Sequence, residues 1–109
     1  MKACASFEGW VTDSMKRRSG GKGSLGENIA AGSPTQSPGQ AVALWLTEAS
    51  GYDHATNTCS ISACGHYTQI VWSTTTAVGC AHVSCTNGLG DFNVCDFNPP
   101  GNYVGQSPY

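Results

Sequence analysis

The sequence predicts an α+β fold on three observations: an amphipathic helix after residue 37, two strand-like runs between residues 78 and 97, and six cysteines to tie them together. At 109 residues the chain is about one domain. That length supports a single core, though not a large one. An even number of cysteines in so short a chain predicts three disulfides and an oxidising compartment. A zinc knuckle is the competing reading, but the sequence has no C-x-x-C pair and no paired histidine motif.

Residues 6 to 18 read as a short helix. The stretch "SGGKGSLG", 19 to 26, reads as a glycine-rich loop. It lacks the Walker spacing and the Lys-Ser/Thr ending of a phosphate cradle. "ENIAAG", 27 to 32, reads as one helical turn, and "SPTQSPG", 33 to 39, as a break.

The clearest helix follows. Ser37 caps it, Pro38 suits its first turn, and Ala41, Leu44, Trp45 and Glu48 fall at i, i+3, i+4 and i+7. The stripe is otherwise apolar, so Glu48 lies on a buried-leaning face, where a lone carboxylate is costly to desolvate. Either Glu48 ends the stripe and reaches solvent, or it is held on the inner face.

Residues 51 to 64 read as a loop, and residues 67 to 72 suit either a strand or a short helix. "VGCAHVSC", 78 to 85, and "DFNVCDF", 91 to 97, read as strands joined by the turn "TNGLG". On one extended strand Cys80 and Cys85 face opposite sides, roughly 17 Å apart, so each must pair elsewhere. The tail "NPPGNYVGQSPY" is turn-rich and is expected on the surface.

Composition excludes some functions. Charged residues are 11% of the chain and the formal net charge is −2. The one basic cluster, Lys16-Arg17-Arg18, has no aromatic interleaving, so nucleic acid is not an expected partner. No run approaches the roughly 20 apolar residues of a membrane span. The opening "MKACASFEGW" has no apolar signal segment. The chain is therefore expected to be mature, truncated or wrongly started, and Cys4 so near the start points to missing upstream sequence.

The stretch "CGHYTQIVW", 64 to 72, raises the functional question. It places an ionisable ring, His66, at the head of an apolar segment. His66 is either a satisfied core polar group or a side chain facing a cleft.

Five motifs then occur in order: "GENIA" at 26 to 30, "WLTE" at 45 to 48, "CGHYTQIVW" at 64 to 72, "VGCAHVSC" at 78 to 85 and "CDFNPPGNYVGQSPY" at 95 to 109. Together they resemble the CAP superfamily: cysteine-rich secretory proteins, antigen 5 and pathogenesis-related protein 1. The pathogenesis-related branch is nearest, and the resemblance runs from Gly26 to Tyr109. It divides the chain into a divergent or truncated segment, 1 to 25, and a CAP core with its tail, 26 to 109. It implies an α-β-α sandwich, a mostly antiparallel sheet between helical layers, whose N-terminal helix is missing or replaced here. It also implies a short helix for "GHYTQIVW", and the pairings Cys59–Cys64, Cys80–Cys95 and Cys4–Cys85.

The resemblance further implies a central cleft lined by Glu27, Glu48 and His66. The family's cleft has a second histidine shortly before the "GEN" motif. No histidine precedes residue 54 here. One alignment puts Arg18 in its place, another puts Glu8 nearby. Two histidines and two carboxylates hold a zinc-like ion; with one nitrogen missing, Glu27, Glu48 and His66 make an incomplete metal site. An arginine there would repel the cation and pair with Glu27 or Glu48. No cofactor is therefore expected, beyond weak zinc or another divalent cation.

The function implied is a secreted, non-enzymatic module that binds a sterol or another lipid in defence or host–microbe interaction. Two alternatives remain. One is a precursor of a C-terminal signalling peptide, residues 99 to 109, although "CDFN" departs from the family's Cys-Asn-Tyr step through Asp96 and Phe97. Against it, the tail simply packs back on the domain through its prolines, Tyr103 and Tyr109. The other is a His/Glu-dependent hydrolase, for which no serine sits in a nucleophile elbow. Loss of the N-terminal helix also predicts an under-covered apolar face, and with it either a fold dependent on its bridges or a homodimer.

Overall fold

The structure, a computed structural model, describes residues 24 to 85 and 90 to 109. The segment expected as a helix over 6 to 18, the alignment candidates Glu8 and Arg18, and Cys4 all lie outside the described residues.

The fold is α+β, built on a three-stranded antiparallel sheet. Strand β1 spans Gly26–Gly32, helix α1 spans Pro38–Leu46, and a 3₁₀ turn follows at Thr47–Gly51. A two-residue hairpin comes next, β2 at Tyr52–Asp53 and β3 at Thr58–Cys59. Helix α2 spans Gly65–Ile70, and the long strands β4 and β5 span Ala77–Ser84 and Asp91–Asn98. The sheet order is β1-β5-β4, so β5 is central and pairs on both edges.

The central position explains why β5 is buried along almost its whole length. One face of the sheet presents Ala30, Cys95 and Phe97 to Ala41 and Trp45 of α1, with Ile70 packed against the same cluster. On the other face Val94 packs with Ile29, Ala81, Val83 and Phe92. Along β5, neighbouring residues alternate between the two clusters, as the pleat requires.

Helix α1 starts as its sequence predicts. Ser37 accepts from the Gln40 N–H at 3.1 Å, and Gln40 Oε1 accepts from the Ser37 N–H at 2.8 Å. That reciprocal pair satisfies two of the N–H groups that a helix start leaves without partners. Pro38 holds the first position, where its missing N–H costs nothing.

Four sequence readings are corrected. "ENIAAG" is strand β1, not a helical turn: Glu27 pairs with Asp96 and Gly32 with Asp91 across β5. Its apolar run is too short to carry a period of its own, so the partner strand decides. The loop read over 51 to 64 contains the β2–β3 hairpin, turned at Asn57 with φ of 51°. The stripe of α1 is narrower than its spacing suggests: Ala41 and Trp45 are buried, but Leu44 is 52% exposed. The tail is largely on the surface, yet Pro108 is fully buried. The open choice at 67 to 72 resolves as helix α2 and its C-cap.

Cysteines tie these elements together. Cys59 bonds Cys64, closing the hairpin onto the start of α2. Cys80 bonds Cys95, its directly opposed partner on β5. Cys85 is also disulfide-bonded; its expected partner, Cys4, falls outside the described residues. Between β4 and β5, the Cys85 N–H bonds the Gly90 carbonyl at 2.8 Å. Gly90 has φ of +95°, and a Cβ there would stand 2.2 Å from the Gly32 carbonyl oxygen, so only glycine fits this turn.

Candidate functional site

The 3₁₀ turn after α1 and the start of α2 bring Glu48 and His66 together. Nδ1 of His66 lies 2.7 Å from Oε2 of Glu48. The other carboxylate oxygen accepts the Tyr67 N–H at 3.0 Å. Glu48 is thus held on the inner side of the stripe by two partners, which removes the cost of leaving it alone there. Three further contacts hold the ring and the backbone that carries it. Trp45 stacks on it at 6.0 Å between centroids, 25° from parallel. Asn28 donates from Nδ2 to the His66 carbonyl at 3.0 Å. The Cys59–Cys64 bridge anchors the residue two before it.

Exposure differs across the pair. The Glu48 side chain is 15% accessible and the His66 side chain 39%, so the carboxylate is sheltered and the ring faces out. With Glu48 on Nδ1, the neutral ring carries its proton there and presents Nε2 as an acceptor. No described residue bonds Nε2. The arrangement can accept one proton from a bound molecule or supply one nitrogen ligand.

Glu27, the third residue expected here, lies half-buried on β1 opposite Asp96. Among the described residues no three His, Cys, Asp or Glu side chains come close enough to hold a metal ion. The described donor set is one imidazole and a carboxylate whose two oxygens already have partners. That does not fit zinc, which takes at least three protein ligands.

A second feature escaped the sequence reading. Between α1 and the β4–β5 ladder lies a cavity of about 330 Å³. Ala41, Val42 and Trp45 line it from the helix, the Cys80–Cys95 bridge from the sheet, and His82 adds a polar group. The signal was present in the period of two along β4, which puts residues 80 and 82 on one face. Across the strands, His82 Nε2 lies 3.3 Å from Asp91 Oδ2, and the same oxygen accepts the Gln36 N–H at 2.9 Å. The Gln36 backbone N–H, a Ser84 side-chain bond and His82 hold the Asp91 carboxyl below the usual carboxylate range. Trp45 joins the two features: it lines the cavity, stacks on His66 and donates from Nε1 to the Ile29 carbonyl at 3.3 Å.

A disulfide-tied α+β domain with a Glu–His pair between two short helical elements defines a class. The chain matches the model of the CAP, or cysteine-rich secretory protein, family over residues 4 to 97, and it belongs to that family. It is 49% identical over 89 residues to pathogenesis-related protein 1B of Nicotiana tabacum, a match covering 80% of this chain and 52% of that protein. Over 88 residues it is 47% identical to pathogenesis-related protein 1 of Arabidopsis thaliana, covering 81% of this chain and 53% of the relative. Its fold resembles that of the Schistosoma mansoni venom allergen-like protein 4, with a TM-score of 0.65 and 30% identity over 78% of this chain and 50% of that one. Na-ASP-1 gives a TM-score of 0.63 and 37% identity over 78% of this chain and 24% of its own. The chain spans about half the length of the curated relatives it matches.

Proposed function

We propose that this chain is a secreted, non-enzymatic, defence-related CAP protein that binds a sterol or another lipid. The observation that carries the binding reading is the cavity of about 330 Å³ under α1, walled by apolar side chains and a disulfide. Its size is at the lower end of small-molecule sites, and such sites are apolar with few polar groups. His82 is a polar group of that kind. Disulfides support secretion, since they persist in oxidising compartments. The names of the pathogenesis-related relatives support a role in defence. The non-enzymatic reading rests on membership of the CAP family, and the Glu48–His66 pair is where it is tested.

The test is equilibrium binding of a radiolabelled sterol and a long-chain fatty acid, with p-nitrophenyl ester hydrolysis assayed in parallel. Saturable binding that persists in His66→Ala and weakens in the cavity-filling Ala41→Phe is expected. Ester turnover that disappears in His66→Ala would instead establish a hydrolase. Absence of binding to both lipids would refute the lipid reading.

A further inference from the structure

Helix α2 carries His66 but has only six residues, too few to persist alone in water. Glu48, Trp45 and Asn28 grip it from one direction. Residues 99 to 109 grip it from another. Asn102 donates from Nδ2 to the Gly65 carbonyl at 2.8 Å and accepts from Thr68 Oγ1 at 2.6 Å. Gln69, 1% exposed, accepts the Gly101 N–H at 3.0 Å and donates to Thr75 Oγ1 at 3.1 Å. Thr75 in turn donates to the Pro99 carbonyl at 2.8 Å. A Cβ on Gly101 would stand 2.6 Å from the Trp72 ring, so the glycine permits this close passage.

The tail then leaves the surface and returns. Val104 is fully exposed, whereas Pro108 is fully buried and its carbonyl accepts the Ser73 N–H at 2.8 Å. The Tyr109 ring stacks on His54 at 4.0 Å, and its hydroxyl lies 3.5 Å from that of Tyr67. The tail therefore braces α2 from its first residue to just beyond its end. Tyr67 belongs to both grips: its backbone N–H bonds Glu48, and its side chain meets Tyr109.

We infer that the seating of residues 99–109 and the Glu48–His66 pair are thermodynamically coupled through α2, so that displacing the tail loosens His66 from Glu48. Coupling of this kind is reciprocal: whatever holds His66 in place also holds the tail. The coupling element is a helix whose stability comes from its contacts, so weakening one grip weakens the other. The inference goes beyond the lipid-binding reading and stands whether or not a lipid binds. Residues 99–109 thereby act as a positioning clamp for His66, and their displacement weakens its pairing with Glu48.

The test is residue-resolved amide hydrogen exchange on the full chain. The Tyr67 N–H reports the pair, the Ser73 N–H reports the tail, and Val94 in the central strand reports global opening. Asn102→Gly removes both side-chain bonds while tolerating the φ of 59° at that position. It should accelerate exchange at Tyr67 and Ser73 together by about ten-fold, with Val94 unchanged. The exposed His54→Ala removes the far pin and serves if Asn102→Gly fails to fold; it should move the same two amides by a smaller factor. Conversely, Glu48→Gln should accelerate Ser73, although Glu48 makes no hydrogen bond to the tail. Ser73 exchanging fast while Tyr67 keeps its wild-type rate, in either tail variant, would overturn the coupling.

Discussion

Glu48 ends an apolar helical stripe, where a carboxylate without partners would be costly. The spacing in the sequence showed that tension and left two resolutions open. The imidazole of His66 and the amide of Tyr67, eighteen and nineteen residues further on, resolve it. Such partners are invisible to a local pattern, and only the family resemblance brought Glu48 and His66 together. Gln69 shows the opposite failure: nothing in "HYTQIV" marks it, yet it is fully buried and joins α2 to Gly101 and Thr75. Gln69→Ala leaves the half-buried Gly101 N–H without its acceptor and opens a cavity, and should cost about 2–4 kcal/mol in chemical denaturation. Asp91 gives a pH prediction. Its folded carboxyl titrates below its unfolded value because the Gln36 N–H, Ser84 and His82 favour the ionised form. The stabilisation is complete above the unfolded value and is lost as pH falls through the lower, folded one. Melting temperature should therefore drop below about pH 4 in the native chain. Asp91→Asn should flatten that acid limb while lowering stability at neutral pH.

At the scale of elements, legibility follows the range of the determining interaction. Helix α1 was readable because its cap, its proline and its period are all local. Strands β4 and β5 were readable because each is a short run rich in valine, phenylalanine or cysteine, and the turn residues "TNGLG" separate them. β1 was misread because its identity comes from pairing with β5, whose residues lie far away in sequence, as Gly26 opposite Phe97 shows. The α1–sheet cavity was missed for the same reason: its walls meet only after the sheet forms. Local determinants also give the sharper test. Ser37→Ala removes the oxygen that accepts the Gln40 N–H at the helix start and leaves only the backbone half of the capping pair. The expected loss is about 1 kcal/mol, read as a shift of roughly 4–8 °C in melting temperature for a domain of this size. Ser37→Asp keeps the accepting oxygen and adds charge that favours a helix N-terminus, so it should retain most of that stability.

For the whole molecule, the question is what holds together a chain spanning about half the length of its relatives. Among the described residues its main apolar cluster is small, with Trp45 and Phe97 the two large buried side chains. Val42, Leu44 and Leu46 of α1 remain exposed, so they contribute little burial. Covalent ties therefore carry an unusual share of the stability. The Cys59–Cys64 bridge spans a separation of 5 and the Cys80–Cys95 bridge one of 15. In the chain-entropy account, loops of those lengths contribute about 2 and about 3 kcal/mol. Together that is about the lower end of the stability of an ordinary domain. The bridges also sit where structure depends on them: one anchors the start of the His66 helix, and the other walls the cavity. Adding a phosphine reductant should then abolish the cooperative melt, or lower its midpoint by at least about 20 °C. Cys59→Ser/Cys64→Ser alone should be milder, by roughly 10 °C, and should speed Tyr67 amide exchange more than Val94 exchange. A fully reduced chain that melts cooperatively within a few degrees of the oxidised one would show that packing, not the bridges, supplies the stability.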